Sequence, residues 1–93
     1  MTKANEHTKT LTIQNELGIH ARPAALIVKE SNRYASEIIL EKDGNRVSGN
    51  SIIGLLTLEG NPGSKVKITA CGEDAREALS ALEELFENKF FED

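Results

Sequence analysis

His20 is the residue whose neighbours most clearly suggest chemistry, in the run Gly18-Ile19-His20-Ala21-Arg22-Pro23-Ala24-Ala25. A short alternating segment leads into it and an amphipathic one leads away, which places His20 where a strand hands over to a helix. Pro23 suits the first turn of that helix, where its missing N–H has no intrahelical partner to lose. Gly18 permits a positive φ or a close backbone approach just before the imidazole. The N–H groups of Ala21 and Arg22 then lie outside the helical ladder, at the positive end of the helix dipole. Such a seat favours a dianion, and an imidazole lodged in it can carry a phosphoryl group on a ring nitrogen. Arg22 adds a planar cation that can reach phosphoryl oxygens. These residue types at this spacing point to a phosphohistidine site. The plainer alternative is a capping or surface histidine, and a motif this short does not by itself separate the two.

No second centre competes with it. Cys71 is the single cysteine, so the chain has no internal disulfide and suits a reducing compartment; its thiol reads as structural or incidental. His7 and His20 are the only imidazoles and there is one thiol, which gives a zinc site poor support, and no metal or other cofactor is expected. His7 lies in a polar stretch and reads as a solvated residue. Nothing resembles a Walker loop or a magnesium-binding carboxylate pair, so the domain is not expected to use ATP by itself. A net charge of −4, with no Trp, one Tyr and three Phe, argues against nucleic acid, which wants a basic stripe and aromatic platforms. No apolar run approaches the length of a membrane span, and residues Met1 to Lys9 hold no apolar signal core; a cytoplasmic location is the expectation.

Ninety-three residues, 39% hydrophobic and 28% charged, make one soluble domain with a single core. Residues 1–9 read as a flexible tail and 10–93 as the folded domain. Thr10 to Gln14 alternates as a half-buried first strand, and Asn15 to Ile19 is a loop. The first helix spans about Ala21 to Arg33, with Ala24, Ala25, Ile27 and Val28 on its apolar face. Glu37 to Glu41 is a second strand, and Asp43-Gly44 is a hairpin turn into a third at Asn45 to Ser48. Asn50 or Ser51 caps a short second helix through Ile52, Ile53, Leu55, Leu56 and Leu58. Glu59 to Ser64 turns the chain into a fourth strand, Lys65 to Cys71, with Val66, Ile68 and Ala70 inward. Glu73 and Asp74 open a last helix whose stripe is Ala75, Ala78, Leu79, Leu82, Leu85 and Phe86. Phe90 and Phe91 either fold back on the core or end as an exposed tail. The order βαββαβα, with half-polar strands, predicts an α+β fold: an antiparallel sheet with helices on one face and water on the other.

Over roughly residues 10 to 90 the chain resembles the histidine-containing phosphocarrier (HPr) family of the bacterial phosphoenolpyruvate-dependent phosphotransferase system. The segments that carry the likeness are Leu17 to Ala25, Val28-Lys29-Glu30, and Asn50-Ser51-Ile52-Ile53-Gly54-Leu55-Leu56. The resemblance implies an open-faced β-sandwich, a four-stranded sheet in the order 1-4-2-3 under three helices. It implies that His20 is phosphorylated on Nδ1 by phospho-enzyme I and passes the group to a histidine of an enzyme IIA protein. Arg22 matches the arginine that stabilises the phosphoryl group, with the Ala21 and Arg22 amides cradling it. Ile19, Ile52, Ile53 and Leu56 match the apolar docking patch. Ser51, first of all an N-cap, matches a serine modified by an ATP-dependent kinase in some members, so a serine kinase/phosphorylase and transcriptional regulators join the expected partners.

The family implies a stoichiometric carrier, not a turnover enzyme, and a monomer. A hydrolase using His20 would need a general acid and a substrate pocket, and the sequence offers neither near the histidine. Two branches share these features. The tail Leu85 to Asp93 and the segment Asn50 to Ile53 resemble the nitrogen-related regulatory branch (NPr), whereas Val28-Lys29-Glu30 and Ser36-Glu37-Ile38 look like the sugar branch. Asn50 and Gly54 stand where enteric sugar-branch members often carry lysines, a loss of positive charge that weakens steering towards acidic partners.

Overall fold

The computed structural model describes residues 5–92. Its elements are β1 (Glu6–Thr12), α1 (Ala21–Ser31), β2 (Glu37–Lys42), β3 (Asn45–Ser48), α2 (Ile52–Thr57), β4 (Lys65–Cys71) and α3 (Ala75–Glu87). A single turn, Lys89–Phe91, follows α3. The four strands form one antiparallel sheet in the order β1-β4-β2-β3, with β4 at its centre paired to β1 and β2. Period-two alternation is clearest there: Val66, Ile68 and Ala70 are buried, while Lys65, Lys67 and Cys71 are exposed on the open face. Asp43 and Gly44 take φ of +53° and +83°, the positive values that a tight hairpin turn between β2 and β3 requires. Ala24 and Ile27 of α1, Leu55 of α2, and Ala78, Leu82 and Phe86 of α3 close the core over the sheet.

The first strand begins at Glu6, ahead of the expected Thr10. Its register runs from Glu6 opposite Cys71 to Thr12 opposite Lys65, so 6–9 belong to the sheet and not to a detachable tail. Apolar alternation missed them because backbone pairing with β4, and not burial, holds this stretch. The rest of the tail expected at 1–9 falls partly outside the described residues. His7, expected to be solvated, pairs with Ala70 in this ladder and is half-buried. Lys9 lies on the helix-covered face beside Ile68 and reaches Glu83 of α3 at 2.8 Å. The first helix ends at Ser31, short of Arg33, with Asn32 as its C-cap.

Asp74 stands at the N-cap of α3 but makes no side-chain capping bond there. Its carboxylate instead accepts the N–H groups of Ala35 and Ser36, each at 2.9 Å, and the Ser36 hydroxyl. The Ser36 hydroxyl first, then the Ala35 N–H, hold its carboxyl below the ordinary 3.8. This ties the entrance of β2 to the start of α3. A depressed carboxyl pKa contributes stability above the unfolded value and loses it as pH falls through the folded one. Asp74→Asn should therefore lower the thermal midpoint at neutral pH, and the deficit should shrink on acidification through the carboxylate range. A deficit independent of pH, followed by circular dichroism, would contradict this account.

Candidate functional site

The loop between β1 and α1 is pinned first by its backbone. Gly18 takes φ +68°, and a Cβ on it would stand 2.0 Å from the carbonyl oxygen of Gly60. Only a residue without a side chain allows both the conformation and the approach. The next residue then donates its N–H to that same Gly60 carbonyl at 2.9 Å, and Ile19 turns its side chain into the core. Ile19 is 6% exposed, so it does not belong to the docking patch where it was expected; it packs under Gly60 instead. The exposed apolar side chain on this loop is Leu17, at 71%.

His20 follows as the N-cap of α1, with extended backbone and its carbonyl accepting the Ala24 N–H at 3.0 Å. Pro23 lies in the first turn and is buried. The imidazole makes no capping bond to the helix. Its side chain is 36% exposed, so another molecule can reach the ring. Arg22 is exposed and makes no hydrogen bond or ion pair among the described residues. It borders an open groove of about 350 Å³ lined by Glu16, Leu17, Arg22, Phe91 and Glu92.

Glu92 completes the site, and sequence reasoning did not include it. Its Oε2 lies 2.8 Å from His20 Nε2, while Oε1 accepts from Asn15 Nδ2 at 2.9 Å. Asn15 is fully buried and also donates to the Gly18 carbonyl at 2.7 Å, so it links the turn before His20 to the chain's end. The Asn15 amide holds the Glu92 carboxyl below its ordinary range against the opposing effect of desolvation; the contacts with His20 and the nearby Arg22 charge act in the same direction. Of the two fates left open for the terminal phenylalanines, each residue takes one: Phe90 is fully buried and Phe91 is 64% exposed. The Phe90 ring packs on Phe86 with centroids 4.9 Å apart. Lys89, Phe90 and Phe91 all have φ between +54° and +58°, a left-handed turn that folds the tail back towards His20. The available sequence signal was an aromatic pair beyond α3 followed by a carboxylate, but only tertiary packing brings that carboxylate to the ring.

Beside the loop, α2 starts at Ser51, whose Oγ accepts the Gly54 N–H at 2.9 Å, the capping role expected of it. Ile52, Ile53 and Leu56 are 42%, 77% and 41% exposed and form an uncharged apolar surface. Asn50 is exposed next to them. A Cβ on Gly54 would come within 3.2 Å of Val47, so the absence of a lysine there also lets α2 lie close to β3. Cys71 is exposed at the end of β4. No group of three or more His, Cys, Asp or Glu among the described residues could hold a metal ion. Among the described residues no helix is long and apolar enough to cross a membrane.

An open-faced sandwich with an accessible histidine at a helix mouth is the architecture of one class of phosphocarriers, and comparison with known proteins agrees. The family model for the PTS HPr component phosphorylation site matches residues 7–88. The phosphocarrier protein HPr of Treponema pallidum is 45% identical over 85 residues, which cover 91% of this chain and 97% of that one. The HPr-like protein Crh of Bacillus subtilis is 47% identical over 70 residues, 75% of this chain and 82% of its own. Among solved structures, HPr from Thermoanaerobacter tengcongensis superposes with a TM-score of 0.89 at 42% identity, covering 94% of this chain and 98% of its own. Another structure of HPr from that organism is a dimer. The chain belongs to the HPr family of phosphocarriers.

Gly18→Ala is expected to cost at least about 1–3 kcal/mol, the scale of backbone strain, because the loop must also retreat from Gly60. Urea denaturation measures the loss. A stability equal to that of the parent would mean that this crossing does not hold the loop.

Proposed function

We propose that this chain accepts a phosphoryl group on Nδ1 of His20 from phospho-enzyme I and hands it to a histidine of an enzyme IIA protein. The observation that carries the reading is the accessible imidazole at the mouth of α1, with Nε2 engaged by a carboxylate and Arg22 free beside it. A carboxylate only accepts hydrogen bonds, so in the neutral imidazole this contact puts the proton on Nε2 and leaves the lone pair on Nδ1. In each transfer the donor's N–P bond breaks as the new N–P bond forms, and the electron pair returns to the departing nitrogen. The Ala21 and Arg22 amides and the Arg22 guanidinium then hold the phosphoryl oxygens. The role is that of a stoichiometric cytoplasmic carrier, because the partners supply the aligned geometry for in-line transfer.

Ile52, Ile53 and Leu56 form the partner-docking surface in this reading. Each chain carries a whole His20 site, so a monomer suffices for both encounters. The uncharged surface around Asn50 and Gly54 favours the regulatory, nitrogen-branch use of the same relay over sugar uptake, because it lacks cations to steer acidic partners. A kinase acting on Ser51 would have to take its hydroxyl from the Gly54 N–H. The product would place about two negative charges at the edge of the docking surface. Regulation through a serine kinase/phosphorylase and transcriptional regulators would act there.

His20→Ala should abolish labelling by phosphoenolpyruvate and enzyme I; an acid-labile label persisting on that variant would end the proposal. Arg22→Ala should keep the parent's stability while slowing transfer, since the side chain is exposed and bonded to nothing. Transfer rates with sugar-branch and nitrogen-branch enzymes I would decide between the two uses.

A further inference from the structure

We infer that Glu92 is a positioning residue for His20: it fixes the imidazole as the Nε2–H tautomer, so that Nδ1 is the nucleophile, and it balances the ring's charge while the phosphoryl group is bound. The inference rests on the phosphocarrier reading above and adds to it a residue from the far end of the chain. Its basis is geometric. Glu92 is held at both carboxylate oxygens, by His20 on one side and by buried Asn15 on the other. The Asn15 amide is itself fixed, because its nitrogen donates to two oxygen acceptors, the Gly18 carbonyl and Glu92. Phe90, buried against Phe86, sets the distance at which the tail turns back. The Glu92 side chain is 14% exposed, so the contact is shielded from water more than the ring it serves.

The balance of the step follows from this arrangement. The neutral ring carries its proton on Nε2, shared with Glu92 Oε2. The Nδ1 lone pair forms the new bond to phosphorus, and the electron pair of the broken bond stays with the donor nitrogen. The ring gains one positive charge, delocalised over both nitrogens, which lies against the Glu92 carboxylate. Onward transfer returns the electron pair to Nδ1 and restores the neutral tautomer. No proton has to enter or leave in either direction, which lets the same site act as acceptor and as donor. The arrangement parallels the carboxylate that orients a catalytic histidine in hydrolase triads without taking its proton.

The test uses the whole chain with Glu92→Ala and Glu92→Gln, both of which leave Phe90 in place. Nitrogen-15 NMR of the His20 ring in the unphosphorylated protein reads the tautomer directly and needs no donor. The parent should show one dominant Nε2–H form, and Glu92→Ala a mixed population. The initial rate of phosphoryl acceptance should fall roughly tenfold in Glu92→Ala, the scale on which outer partners of functional histidines act. Glu92→Gln, which can still accept the Nε2–H bond, should keep more of the Nε2–H tautomer than Glu92→Ala and yet transfer more slowly than the parent. An unchanged tautomer ratio together with an unchanged rate in Glu92→Ala would overturn the inference. Failure of the parent chain itself to be labelled on His20 would instead overturn the carrier reading and leave the tautomer measurement standing.

Discussion

One backbone crossing fixes where the histidine can be. At Gly18 the chain passes so close to the Gly60 carbonyl that any side chain would collide with it, and the positive φ there would penalise one in any case. The same carbonyl takes the Ile19 N–H, so the loop is pinned on both sides of a single peptide oxygen. The Ile19 side chain then has nowhere to go but the core, and His20 is left at the rim. A loop joining a strand to a helix is ordinarily the mobile part of a fold; here Gly18 and Ile19 are buried and His20, which follows them, is half-exposed. This arrangement provides precision without enclosing the ring.

The end of the chain supports the same point at an energetic cost. Left-handed backbone at a residue with a side chain costs roughly 1–2 kcal/mol, and three such residues follow one another at Lys89, Phe90 and Phe91. Burying one phenylalanine returns about 1.5–3 kcal/mol, and its pairing with Phe86 about 0.5–1.5 kcal/mol more. Those terms nearly cancel. The net stabilisation of the turn therefore depends on what lies beyond it, the hydrogen bonds that Glu92 makes with Asn15 and His20. Strained backbone at this place is consistent with a tail kept for the position of its carboxylate, since strain persists where surrounding contacts over-determine it.

Most of the fold was legible because its elements obey simple periods. The β4 alternation and the α3 stripe of Ala75, Ala78, Leu79, Leu82, Leu85 and Phe86 lie where the pattern puts them, and Asp43-Gly44 turns as its composition demands. Strand β1 was legible only in its apolar half, because its first residues are held by backbone pairing that leaves no hydrophobic trace. Within the site, His20, Arg22 and the Ser51 cap stand at positions their neighbours in sequence announce. Ile19 did not, because exposure next to a functional residue is decided by the direction of one turn. Asn15 and Glu92 were invisible for a different reason. Glu92 reaches Asn15 across 77 positions of sequence, and the bond Asn15 makes nearby, to the Gly18 carbonyl, is to backbone and leaves no mark in the residue pattern.

A carrier has to release what it binds, and the proposed His20 seat is weak in a way that suits this. An anion at a helix N-terminus gains roughly 0.3–1 kcal/mol, at most about 2 in a partly buried geometry. Because about 1.4 kcal/mol is a factor of ten, such a seat biases the equilibrium by an order of magnitude or so. Arg22 adds a cation on the solvent side, where water screens its attraction. In the proposed relay the Glu92 carboxylate acts in two opposed ways, stabilising the ring's charge and repelling the phosphoryl oxygens, so it does not deepen the well as a second cation would. Enclosing the histidine, or surrounding it with several cations, would deepen the well and make the second transfer slow. In the proposed relay, a half-exposed ring with one free arginine in front and one carboxylate behind would keep both transfers within reach of the partners' own contributions.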